Sequence, residues 1–127
     1  MRVIVTLLTT MLLTIGLAPA AHAVHWRGWF LLTVVSDAPT GQPDYRVLTC
    51  GPDGGTHPSP VIACGQLRRA GGQPAALPEE PGPCTLELNT TRVTARGWWG
   101  ASPRFFHRVY SNRCVAIRDT GGVLFDW

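Results

Sequence analysis

The residues from Trp29 to Ser36 are β-branched or aromatic and are bounded by Gly28 and by Asp37 and Pro39, which predicts a first strand. A shorter alternating run, Tyr45 to Cys50, predicts a second. Gly51 to Pro60 is dense in Gly, Pro and Asp and reads as a loop. The period then changes. Ala63, Leu67 and Ala70 share one helical face, Pro60 suits the first helical position with Ser59 as its cap, and Gly71 and Gly72 end the helix. From Gln73 to Pro83 no period survives, and this segment is expected to be ordered but irregular. Thr91, Val93 and Ala95 alternate with Arg92, Thr94 and Arg96 in a third strand. A turn from Gly97 to Pro103 carries Trp98 and Trp99, with at least one tryptophan packed on the sheet. Arg104 to Ser111 is a fourth strand and Val123 to Trp127 a short fifth. The expected architecture is α+β: a five-stranded antiparallel sheet with one main helix.

The first residues have another pattern. Arg2 is followed by an apolar run from Val3 to Pro19, and Ala21, His22 and Ala23 form a small-x-small site. This predicts a secretory signal peptide over residues 1–23 and a single domain over 24–127, a length that can bury a modest core. The run is short for a membrane span, so no membrane association is expected after cleavage. All four cysteines lie after residue 23. In a small exported chain they predict two disulfides. Three pairings are possible, of which Cys50 with Cys64 and Cys84 with Cys114 is the simplest.

Charge and composition exclude several classes. The formal net charge is +3, the chain has no lysine, and only Arg68 and Arg69 among the arginines are adjacent. A nucleic-acid surface would want a dense basic stripe with interleaved aromatics. There is no Cys-x-x-Cys pair, and His25, His57 and His107 are scattered, so neither a metal site nor a cofactor is expected. None of Ser36, Ser59, Ser102 and Ser111 sits in a Gly-x-Ser-x-Gly elbow. Glu79 and Glu80 read as a solvated pair on a Pro-rich segment, and His57 as part of its loop's architecture.

What remains is the stretch from Cys84 to Leu88, between that Pro-rich segment and the third strand. On spacing alone, a plain core staple is the simpler account of Cys84. The alternative is a protease-binding loop. A bridge from Cys84 to Cys114 would remove about 3–4 kcal/mol of unfolded-chain entropy. It would also fix the chain two residues before an apolar Leu86. A protease binding this stretch as a substrate would find the cut ends still tethered, so that religation competes with hydrolysis.

The residues Leu48 to Pro52, Gly55 to Leu67, and Gly71 with Gly72 form a cysteine-centred pattern. A second pattern joins Cys84 to Gly97, Trp99, Arg108 to Asn112 and Cys114, and the run Val123 to Trp127 follows. Together they resemble the Streptomyces subtilisin inhibitor family over nearly all of residues 24–127. The resemblance implies a five-stranded antiparallel sheet with a second, short helix near Arg118 to Gly122, and disulfides Cys50–Cys64 and Cys84–Cys114. It implies a secreted, extracellular homodimer that inhibits serine endopeptidases of subtilisin type, or of chymotrypsin type, and is not itself an enzyme. The reactive bond would be Leu86–Glu87. Leu86 would enter the protease's primary pocket, with Thr85 and Leu88 in neighbouring subsites. Apart from the resemblance, the place of Asn112 just before the bridged Cys114 suggests that it braces the loop from behind. A trypsin-type pocket, which buries an aspartate, would accept leucine poorly.

The chain departs from the family where Leu88 replaces an aromatic and Thr90 a proline, which frees the loop's downstream end. Glu87 brings a charge to the leaving-group side, and Thr91, Val93 and Ala95 are a thin apolar set. Asn89, Thr90 and Thr91 also form a glycosylation sequon beside the bond, without meaning in a bacterial host. The competing readings are a disulfide-stapled binding or structural module, and a degenerate member cleaved as a temporary substrate.

Overall fold

A computed structural model describes residue 18, residues 27–37 and residues 39–127; the expected signal peptide, apart from residue 18, lies outside them. Three long strands form its centre: β1 (Gly28–Ser36), β2 (Asp44–Cys50) and β4 (Thr91–Trp99). β3 (Gly54–Gly55) and β5 (Ser102–Tyr110) complete an antiparallel sheet of order β3-β2-β1-β4-β5. Two helices, α1 (Pro60–Arg69) and α2 (Arg113–Asp119), accompany it. Among the described residues no helix is long and apolar enough to cross a membrane.

The two-residue alternation of β1 is the physical basis of this arrangement. Phe30, Leu32 and Val34 are buried on one face. In register with Phe30 and Leu32 stand Leu48 on β2 and Ala95 on β4, so that three strands pool short apolar side chains on one side. Ala63, Cys64 and Leu67 of α1 pack on that face, as does Ala116 of α2. Both helices lie on this one side. The opposite face, carrying Leu31, Tyr45, Trp98, Phe105 and Val109, has no covering layer among the described residues.

The expected five-stranded antiparallel α+β fold is therefore what the protein has, but three local expectations need correction. First, Val123 to Trp127 is turn and irregular chain, not a strand, and the fifth strand is the two-residue β3. Gly121 and Gly122, at φ 87° and 80°, turn the chain back under the sheet, and the adjacent Leu124 and Phe125 are both fully buried. A strand sends neighbours to opposite faces, and in a sheet with one uncovered face it would not bury both. Second, α2 starts about a turn earlier than the expected Arg118 to Gly122, because Asn112 caps it there: Val115 N–H donates to Asn112 Oδ1 at 2.9 Å. Third, Trp98 and Trp99 belong to β4, and the turn shrinks to Gly100 and Ala101. Trp99 packs against the core while Trp98 stays exposed.

α1 ends as expected. Gly72 N–H donates to Leu67 O at 2.7 Å and Gly71 N–H to Arg68 O at 3.2 Å, the two bonds of a Schellman cap. Gly72 has φ 73°, and a side chain there would run into the Trp99 ring. Ser59 holds the N-cap position, but its side chain makes no capping bond. Its N–H donates instead to His57 Nδ1 at 3.0 Å.

That bond matters for acid stability. His57 is buried, and its Nε2–H donates to Leu124 O at 3.2 Å, so both ring nitrogens are committed in the neutral form. Burial pushes its pKa below the ordinary 6.5. The unfolded chain therefore takes up this proton before the folded one does. The stability tied to neutral His57 is complete above the ordinary pKa and is lost as the pH falls below it. Urea unfolding followed on either side of that pKa should give a lower midpoint on the acid side, well before the carboxylates titrate. An unchanged midpoint would remove His57 from this role.

Candidate functional site

Leu77 to Thr90 runs without regular secondary structure apart from one bend, yet it is tied down at intervals. Leu77 is buried in the core at its upstream end. Glu80 N–H donates to Arg118 O at 2.8 Å, and Arg118 Nη1 donates to Gly82 O at 3.2 Å. Arg118 also pairs with Glu79 at 3.2 Å, so Glu79 is more than the free surface charge expected of it. Cys84 is bonded to Cys114, with 5.7 Å between their Cα atoms. The other bridge, Cys50–Cys64, is fully buried and pins α1 to β2.

Beyond Cys84 the tether is an amide. Asn112 Nδ2 donates to Thr85 O and to Glu87 O, both at 3.0 Å. These carbonyls lie one on each side of Leu86. The same side chain accepts from Val115 N–H through Oδ1, so a single buried asparagine joins the cap of α2 to the loop. An asparagine has two N–H donors and one carbonyl acceptor, and all three groups are used here. Aspartate could cap but not donate; serine could cap but has a single O–H for two carbonyls.

The downstream end is held as well. Asn89 N–H donates to Ser111 O at 2.9 Å. Asn89 Oδ1 accepts from Asp37 N–H at 3.0 Å, and Asn89 O accepts from Thr91 Oγ1 at 2.9 Å. Asn89 thus supplies hydrogen-bonded anchoring beside Thr90, where no proline stiffens the chain. Its side chain is engaged by Asp37 N–H at the surface, so the sequon's acceptor nitrogen belongs to a structural amide.

The result is a loop lying along α2. Asn112 stands under Thr85 to Glu87, Cys114 under Cys84, and Arg118 under Glu79 to Gly82. Against this fixed backbone two apolar side chains point away from the protein: Leu86 is 99% exposed and Leu88 81%. A single exposed leucine is unremarkable. Two of them stand on a loop whose carbonyls and cysteine are held from behind, so the apolar side chains are presented on a fixed backbone. Thr85 and Glu87 are exposed beside them.

The structure thus brings Cys84, Thr85, Leu86, Glu87, Leu88, Asn112 and Cys114 into one site. Sequence reasoning missed Arg118, Asn89 and Asp37. Asn89 carried a signal, an Asn near a strand start, but was read as a sequon. Arg118 and Asp37 carried none, since their roles depend on chain segments far away. The cluster of Cys50, Asp53 and Cys64 is no metal site: both sulfurs are spent in a disulfide, and Asp53 pairs with Arg68. His57 likewise offers no free nitrogen to activate a serine.

The family model for subtilisin inhibitor-like domains matches residues 29–112. The chain is 36% identical over 99 residues to subtilisin inhibitor-like protein 1 of Streptomyces cacaoi, covering 73% of this chain and 90% of that protein. It is 41% identical over 95 residues to the subtilase-type protease inhibitor of Streptomyces fradiae, covering 72% of this chain and 66% of that one, just under two thirds of its length. Among solved structures it is similar to Streptomyces caespitosus sermetstatin, whose crystal structure is in complex with Bacillus licheniformis subtilisin. The TM-score is 0.60 at 25% identity, over 76% of this chain and 94% of that chain.

Proposed function

The chain belongs to the subtilisin inhibitor-like family, and on that footing we propose that it is an inhibitor of subtilisin-type serine endopeptidases that acts as a tethered substrate with Leu86–Glu87 as its reactive bond. The observation that carries this reading is Asn112, whose amide holds the carbonyls of Thr85 and Glu87, on either side of Leu86, while Leu86 itself stands free. A protease can receive Leu86 in its primary pocket with little loss of loop entropy. Thr85 and Leu88 fill the adjoining subsites. If the bond is cut, the Cys84 bridge and Asn112 keep the upstream end in place, and Asn112 and Asn89 keep the downstream end. The new amine then remains beside the acyl-enzyme, and resynthesis competes with hydrolysis.

Titrating subtilisin with the purified protein tests this. Stoichiometric and lasting loss of activity is the expected result, and sequencing of any slowly clipped inhibitor should read a new N-terminus at Glu87. Activity that returns as the inhibitor is consumed would make it a temporary substrate. No loss of activity would leave a stapled binding module.

The apolar leader at residues 3–19 and the two disulfides support secretion to an oxidising, extracellular compartment. The uncovered sheet face supports a homodimer. Tyr45, Trp98 and Phe105 are each more than half exposed there, beside Leu31 and Val109 and interleaved with Arg92 and Arg96, and exposed aromatics gathered on one uncovered face favour a partner. A second copy would cover it sheet to sheet and leave the loop free at the sheet's end. Sedimentation should give twice the monomer mass, and Phe105→Arg should give monomers that still inhibit. A wild-type protein that is monomeric at high concentration would overturn the dimer.

A further inference from the structure

All three glutamates of the chain lie between residues 79 and 87, and the stretch from Leu77 to Thr90 contains no arginine, although the chain carries 11 basic residues elsewhere. A protein of net positive charge therefore presents an acidic loop. The ion pairs of the described residues account for Asp44, Asp53, Glu79 and Asp119. Glu87 is exposed and has none. Its backbone is not free to move the charge aside, because Glu87 O is held by Asn112.

This has a consequence for the partner. In a substrate-like complex the residue after the reactive bond lies against the protease's leaving-group subsite, where water is displaced. An ionised carboxylate brought there without a counter-charge weakens binding, while one that meets a cation is held by a charge-assisted hydrogen bond. We propose that Glu87 is a specificity-determining residue that selects serine endopeptidases carrying an arginine or lysine in the leaving-group subsite. This rests on the reading of Leu86–Glu87 as the reactive bond. Leu86 then sets which primary pocket is accepted, and Glu87 sets which members of that class are inhibited well. Discrimination of this kind arises as much from rejecting the wrong partner as from gaining the right one.

The test uses the full-length mature inhibitor, its Glu87→Gln variant, subtilisin, and a subtilisin variant with one lysine substituted into the leaving-group subsite. Inhibition constants are measured for the four combinations, and each complex is sampled for the clipped inhibitor. Glu87→Gln should weaken inhibition of the lysine-bearing protease about tenfold and strengthen inhibition of the parent, which no longer has to bury an unpaired carboxylate. The difference should shrink as sodium chloride is raised, since a partly exposed pair is screened. Equal changes on both proteases, with clipping between Leu86 and Glu87, would overturn the role of Glu87 and leave the reactive bond standing. Clipping at another bond would overturn both.

Discussion

Replacing Leu86 with lysine is expected to move inhibition from subtilisin to trypsin-type proteases. In the free protein the Leu86 side chain is 99% exposed and contributes nothing to the core. Neither its own N–H nor its own C=O is among the groups held by Asn112. The substitution therefore leaves the fold and the loop backbone intact, and any change reports on the complex alone. Burying a leucine in an apolar pocket is worth about 1.5–3 kcal/mol, and a charged amine in the same pocket loses its hydration without a partner. A trypsin-type pocket holds an aspartate that supplies the partner. The companion change Leu86→Gly removes the anchor altogether and should weaken binding to subtilisin by about 2–4 kcal/mol, as for a central interface hot spot. Inhibition constants against both proteases decide the matter. If the lysine variant inhibits subtilisin as before and gains no hold on trypsin, Leu86 is not the side chain that enters the pocket.

Asn112→Asp should turn a lasting inhibitor into a consumed one. The carboxylate can still accept from Val115 N–H, so the cap of α2 survives and the stability loss comes from the loop side alone. It cannot donate. Both bonds to the loop disappear, and a negative charge now faces the carbonyl oxygens of Thr85 and Glu87. Two hydrogen bonds of about 1 kcal/mol each amount to a thirtyfold loosening of the loop around its reactive bond. The clipped ends then drift apart before they can rejoin. Asn112→Ala removes the cap as well and should add about 1 kcal/mol of destabilisation. Incubation with subtilisin, followed by mass spectrometry, should show the Asp variant cleaved and protease activity returning at a temperature where the variant is still folded. An Asp variant that resists cleavage as long as wild type would mean that the disulfide alone holds the loop.

These two residues differ in how far they were legible beforehand. Leu86 is found by its distance from Cys84 and by the pattern around it. Asn112 was marked as a brace because it stands near Cys114, but the division of its amide between helix and loop was not foreseeable. The bonds to Thr85 and Glu87 cross 27 and 25 residues of chain. The loop's downstream end was expected to be loose for want of a proline at Thr90. Asn89 ties it instead to Asp37, across 52 residues.

Local order fixes what local forces decide. The alternation of β1 and β4, the Pro60 start and glycine end of α1, and the position of the exposed loop were all readable, because each follows from backbone sterics and from which side of an element meets water. The chain end misled for the same reason. Leu124 and Phe125 have a strand-like composition, but Gly121 and Gly122 bend the chain so that both enter the core. Only the tertiary structure decided that both helices would take one face of the sheet and leave the aromatics of the other uncovered. It alone laid the loop along α2, with Asn112, Cys114 and Arg118 as successive supports. Those contacts join segments that have no reason to meet until the core has closed, and periodicity along the chain carries no record of them.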